Sequence, residues 1–114
     1  MTMANALSEA YIVADKAGIP RKLAYDVMAA GPIHSGMMDF VTAYAVDGDA
    51  GKLAFAIKNG AKDVGYYQQM AETAGITSSI SATPLANMQE AVADGRGDAM
   101  VSEIVDFYAK KFSG

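Results

Sequence analysis

Gly-Ile and Gly-Pro pairs cut this chain into stretches of helical length, and nothing between the cuts alternates as a strand does. Gly18-Ile19-Pro20, Gly31-Pro32, Asp47-Gly48, Gly75-Ile76 and Asp94-Gly95 are the breaks. At the first, Gly takes a left-handed cap cheaply, Ile folds back on the last turn, and Pro blocks continuation. Ala14-Asp15-Lys16-Ala17-Gly18-Ile19 and Ala71-Glu72-Thr73-Ala74-Gly75-Ile76 share this ending. So short a match is shared stop chemistry and not an internal repeat.

Between the breaks the apolar residues fall at helical spacing. In residues 2–17, Met3, Leu7, Ala10, Ala14 and Ala17 lie on one face and are expected to point inward. Further helices are expected over residues 21–30, 35–46 and 50–74. A fifth starts with Thr83 as N-cap and Pro84 at the first helical position, and ends at Asp94-Gly95. A last helix follows Asp98 as N-cap and carries Val101, Ile104, Val105, Tyr108 and Phe112 inward. The fold class is therefore all-α, with about six helices. Residues 1–114 form one domain, since no linker interrupts them.

Composition removes several functions. Hydrophobic residues make up 52% of the chain, enough to collapse a core. The net charge is −4 and the nine Lys and Arg form no basic stripe, which argues against nucleic acid as a partner. There is no Cys, so disulfides and thiolate metal sites are excluded. The first residues show no basic region followed by an apolar run, so no signal peptide is expected, and no run is long and apolar enough to span a membrane. A cytoplasmic protein with no membrane partner is expected.

Chemical motifs mostly fail on inspection. The run from Asp47 to Lys52 lacks the sixth-position glycine and the terminal Glu of a calcium loop, and lacks the Ser or Thr of a phosphate loop. Asp49 as a helix N-cap explains it better. Gly95-Arg96-Gly97 has Met100 where a dinucleotide fingerprint needs glycine, and no strand precedes it. His34 is the single histidine, with neither a nucleophile elbow nor metal partners at helical spacing, and is expected to be an ordinary hydrogen-bonded residue. The fourth helix is richer. Phe55, Asn59, Lys62 and Tyr66 fall on one stripe, with Asp63 next to Lys62, while Leu53, Ile57, Ala61 and Val64 cover the core side. Such a stripe either presents an ammonium between aromatic walls to an anionic ligand or is a plain solvated face.

The run Ser8-Glu9-Ala10-Tyr11-Ile12-Val13-Ala14-Asp15-Lys16-Ala17-Gly18-Ile19 resembles the interdomain helix of the β-hydroxyacid dehydrogenase family. Phe55-Ala56-Ile57-Lys58-Asn59-Gly60-Ala61-Lys62-Asp63-Val64 is similar to that family's Phe followed by a Lys-Asp pair and an apolar residue. The Ala71 to Ile76 ending, the Pro84 helix and the Gly95 to Asp98 loop follow in the family's order. The family includes 3-hydroxyisobutyrate dehydrogenase and tartronate semialdehyde reductase. Its helical C-terminal domain is similar to that of 6-phosphogluconate dehydrogenase.

The resemblance implies the C-terminal helical domain of an NAD- or NADP-dependent dehydrogenase, its first helix being the end of a long interdomain helix. An N-terminal Rossmann domain, absent from these residues, would bind the dinucleotide, and a small β-hydroxyacid would be the substrate. Lys62 would then lie beside the cofactor, Asp63 would orient it or brace the domain contact, and Phe55 would wall the substrate cleft. The family's catalytic Lys would lie about two helical turns ahead of Met1, so no catalytic residue is assigned here. The family's Pro-Gly before the Phe is replaced by Gly51-Lys52-Leu53-Ala54. The chain alone is expected to be inactive and to form a homo-oligomer. The alternative is a free-standing helical oligomerisation or ligand-binding module without catalysis.

Overall fold

The two Gly-Ile pairs end their helices by one hydrogen-bonding pattern. In the computed structural model, which describes residues 1–113, α1 spans Thr2–Lys16 and α4 spans Ile57–Thr73. Gly18 (φ 73°) and Gly75 (φ 79°) are both left-handed. Beyond α1, Gly18 N–H donates to Asp15 O (3.1 Å) and Ile19 N–H to Ala14 O (2.9 Å). Beyond α4, Gly75 N–H donates to Glu72 O (3.0 Å) and Ile76 N–H to Ala71 O (2.8 Å). Carbonyls that a helix end leaves open are thereby satisfied.

The other helices are α2 (Arg21–Ala29), α3 (Gly36–Asp47), α5 (Ser79–Ala91) and α6 (Ile104–Lys111). Short 3-10 turns at Ala50–Leu53 and Val101–Glu103 precede α4 and α6, and α5 runs on into a widened turn at Val92–Arg96. Among the described residues there is no strand, so the all-α expectation holds. Ser35 caps α3, its Oγ accepting from Met38 N–H at 3.2 Å.

Helix starts depart from expectation more than helix ends. The fourth helix begins at Ile57 and not at residue 50. Asp49 does act as a cap, accepting from Gly51 N–H (2.9 Å), but over a single 3-10 turn. The chain then extends through Ala54–Ala56, because Ile57 N–H donates to Ala99 O and Val101 N–H to Phe55 O, each at 2.8 Å. That antiparallel clasp, with Ala56 opposite Met100, is long-range and has no local signal. The fifth helix starts at Ser79 with Ser78 as cap, so Pro84 lies inside it and Thr83 caps nothing. Pro84 offers no N–H to the carbonyl of Ile80, a largely exposed residue. Asp98 is not the cap of the last helix either. It pairs with Lys58, while Glu103 Oε2 accepts Met100 N–H (2.6 Å) ahead of α6.

The core draws on Tyr11 and Ile12 of α1, Met38 and Val41 of α3, Ile57 of α4, Met88 of α5, and Ile104, Val105 and Tyr108 of α6. On α1 the inward face is turned from the one expected: Leu7 and Ala14 are buried, but Met3, Ala10 and Ala17 are exposed. Asn5 and Ser8 are buried instead beside Ala4 and Tyr11. Their polar atoms bond within the fold, Ser8 Oγ donating to Ala4 O at 2.8 Å, which makes their burial tolerable. Phe112 is 40% exposed and stacks on Tyr108 at the edge, short of the core.

Candidate functional site

The clasp that delays α4 also fixes its first turn. Lys58 N–H donates to Gly97 O (3.0 Å), and Lys58 Nζ bonds Asp98. The hydrogen bond and charge of Lys58 hold the Asp98 carboxyl below the usual carboxylate range. Phe55 lies just ahead of α4 on the extended segment, half-buried against the core. It is therefore not part of a helical stripe with Asn59, Lys62 and Tyr66. Leu53 likewise belongs to the preceding 3-10 turn, whereas Ile57 and Ala61 are buried and Val64 packs on the core, as expected of α4's inner side.

Lys62 and Asp63 are both exposed, and α4 sends them into different hollows. Successive helical residues diverge by about 100°. Lys62 lines an open hollow of about 420 Å³ with Lys58, Tyr66, Gln69, Gln89 and Val92. Asp63 lines another of about 300 Å³ with Met1, Thr2, Val64, Tyr67 and Ile80. Among the described residues neither Lys62 nor Asp63 enters an ion pair with another side chain. The structure thus brings Lys62 together with Tyr66, separates both from Asp63, and sets Phe55 apart at the clasp.

Two ammonium groups one turn apart, a tyrosine and two carboxamides suit an anionic or polar ligand in the Lys62 hollow. Lys58, Gln69, Gln89 and Tyr67 were missed by sequence reading. The Lys58–Lys62 spacing was a usable signal; Gln89 arrives from α5 and had none. Among the described residues no group of three or more His, Cys, Asp or Glu could hold a metal ion. No helix among them is long and apolar enough to cross a membrane.

His34 is hydrogen-bonded, as expected. Its Nε2 lies 2.8 Å from Asp39 Oδ1, and Tyr25 OH donates to the same oxygen at 2.7 Å. These bonds, that of Tyr25 foremost, hold the Asp39 carboxyl below its ordinary range. The group joins α2, the following loop and α3, and brings no nucleophile.

No curated protein sequence matches the chain significantly. The crystal structure of a 3-hydroxyisobutyrate dehydrogenase from Salmonella typhimurium does match, with a TM-score of 0.82 and 25% identity. The match covers 93% of this chain but 37% of that enzyme, so the chain spans little more than a third of its length. Residues 1–108 also match the family described as NAD-binding of NADP-dependent 3-hydroxyisobutyrate dehydrogenase. A match of that extent, on an all-helical fold shared with the bacterial enzyme, means that the chain belongs to this family as its C-terminal helical domain.

Proposed function

We propose that the chain is the helical part of an NAD- or NADP-dependent oxidoreductase that interconverts a small β-hydroxyacid and its carbonyl form. A Rossmann domain ahead of α1 holds the dinucleotide in the whole enzyme. Lys62 reaches the cofactor, Asp63 braces the contact between the domains, and Phe55 walls the substrate side.

One observation supports this reading: the N-terminal end of α1 lies on α4 beside Asp63. Met1 Sδ comes within 3.1 Å of where a Cβ on Gly60 would stand. Met1 and Thr2 share their hollow with Asp63. A chain entering α1 from a preceding domain therefore arrives next to Asp63, with Lys62 on the neighbouring side of α4.

The residues present fit one edge of a dinucleotide. Lys62 offers a cationic donor, beside a second on Lys58 that is paired with Asp98, Tyr66 a ring face, and Gln69 and Gln89 amides. They do not make a phosphate cradle, which belongs to the preceding domain. Bound nicotinamide supplies the hydride chemistry. This chain's residues bind and orient, and the proton-transfer Lys lies ahead of Met1.

Two experiments test the reading. The chain alone, given NADH or NADPH and semialdehydes, is expected to show no turnover; turnover would overturn the division of labour. In the full-length enzyme, Lys62→Ala is expected to raise the KM for the dinucleotide about tenfold at unchanged helix content. An unchanged KM would remove Lys62 from the site.

A further inference from the structure

We propose that Asp98 is a built-in counter-ion that occupies Lys58 until a phosphate oxygen of the dinucleotide displaces it. Lys58 and Lys62 then clamp one anion together, and Asp98 restrains its binding. The inference rests on the reading that the Lys62 hollow meets the cofactor. Lys58 and Lys62 stand at i and i+4 on α4, both against that hollow, and the residues lining it include no carboxylate. Two ammonium groups at that spacing repel each other. Asp98 relieves the repulsion from outside the hollow by pairing with Lys58. Lys62 enters no ion pair among the described residues. One of the two cations is thus open to a ligand, and the other is held in reserve.

The pair is placed to exchange. The Asp98 side chain is 89% exposed and that of Lys58 55%, so water competes for both and the pair is weakly held. An anion seated in the hollow lies between two ammonium groups and against Ala61, Gly65 and Val92, where less water screens it. The backbone, and not the ion pair, keeps Asp98 where it is. Gly97, the residue before it, accepts Lys58 N–H at its carbonyl (3.0 Å), and Ala99, the residue after it, accepts Ile57 N–H (2.8 Å). The carboxylate therefore stays at the rim when the ammonium leaves, and takes it back when the ligand departs. Asp98 acts through Lys58 and is a positioning residue.

The test is binding of NADH or NADPH to the full-length enzyme without substrate, read as a dissociation constant from the fluorescence of the reduced nicotinamide. Lys58→Met is expected to weaken binding about fivefold and Asp98→Asn to tighten it about threefold, with helix content unchanged in both. In the Lys58→Met background Asp98→Asn is expected to change nothing, because no ammonium remains to be released. If Asp98 only braced the clasp, replacing it would weaken binding, and that result overturns the proposal. An Asp98→Asn effect that persists without Lys58 overturns it as well. Lys62→Ala separates this inference from the reading beneath it. If Lys62→Ala weakens binding while Asp98→Asn leaves it unchanged, the counter-ion fails and the cofactor site stands. If neither Lys62→Ala nor Lys58→Met alters binding, the cofactor site fails and the counter-ion falls with it.

Discussion

Tyr108 OH donates to Asn5 Oδ1 at 2.7 Å, joining α6 to α1 across 103 residues of sequence. Both residues are buried, and Asn5 also donates to Met1 O (2.9 Å), so the bond ties the C-terminal helix to the end of α1 that lies on α4. Burial is the main cause that pushes the Tyr108 phenol up to about 12.

Tyr108→Phe keeps the ring and removes the donor. Asn5 Oδ1 is then left buried without that partner, at a cost of about 1–2 kcal/mol. The urea midpoint is expected to fall accordingly at unchanged denaturant dependence. An unchanged midpoint would mean that water replaces the phenol at no cost.

Arg21 makes a second long-range tie. Its Nε and Nη2 bond the Asp15 carboxylate, the latter at 2.7 Å, and its Nη1 donates to Ala45 O at 2.9 Å. One planar group thus links the last turn of α1, the first of α2 and the last of α3. Lysine cannot place several donors in that geometry, so Arg21→Lys is expected to lose about 1 kcal/mol despite keeping the charge. Equal thermal midpoints for the two proteins would show that charge alone suffices.

How much of this could be read from the chain depended on where each signal lay. The ends after α1 and α4 were legible because Gly18-Ile19 and Gly75-Ile76 act on carbonyls a few residues back. The start of α4 was not, because Phe55 and Ile57 are held by Val101 and Ala99, more than forty residues away. Asp98 has the chemistry of an N-cap, but Lys58 from α4 takes it. The inward face of α1 was misjudged because apolar spacing cannot credit Asn5 and Ser8, which satisfy themselves on nearby carbonyls. At the candidate site, adjacency of Lys62 and Asp63 suggested joint action, yet a helix turns neighbours apart. Pairing them with Gln89 or Met1 required the packing of α5 and α1 on α4.

Tyr44 sets an alkaline limit. Its hydroxyl donates to Asp106 Oδ2 (2.5 Å), and the hydrogen bond to that carboxylate is the main cause that pushes the phenol up to about 12. An unfolded tyrosine titrates near 10. Below about pH 10 both states keep the proton and stability does not depend on it. Between about pH 10 and 12 the unfolded chain loses a proton that the folded chain retains, so stability falls as pH rises. Tyr44→Phe is expected to flatten that fall, leaving the part due to Tyr108, Tyr11 and Tyr25, whose phenols are also raised. Urea midpoints at about pH 8 and 11 measure it, and parallel slopes in the two proteins would contradict the assignment.

Gly60 and Gly65 sit on the same helix and are expected to respond oppositely to a methyl group. A Cβ on Gly65 meets nothing within 4 Å, so Gly65→Ala is expected to add about 0.5–1 kcal/mol through helix propensity. A Cβ on Gly60 would stand 3.1 Å from Met1 Sδ, 3.3 Å from Met88 Sδ and 3.4 Å from Val101 Cγ2. The half-buried Met1 thioether can swing aside, but Met88 and Val101 are fully buried and cannot. Overpacking there offsets the propensity gain, so Gly60→Ala is expected to be no more stable than the parent, and Gly60→Leu to lose about 2 kcal/mol or more. The two positions also separate stability from function. Gly65 lines the hollow of Lys62, so in the full-length enzyme Gly65→Ala is expected to weaken cofactor binding while raising the thermal midpoint. Gly60→Leu pushes the end of α1 off α4 and is expected to lower kcat and stability together. Equal midpoints for Gly60→Ala and Gly65→Ala would mean that α1 does not rest on Gly60, and the observation beneath the proposed function would fall with it.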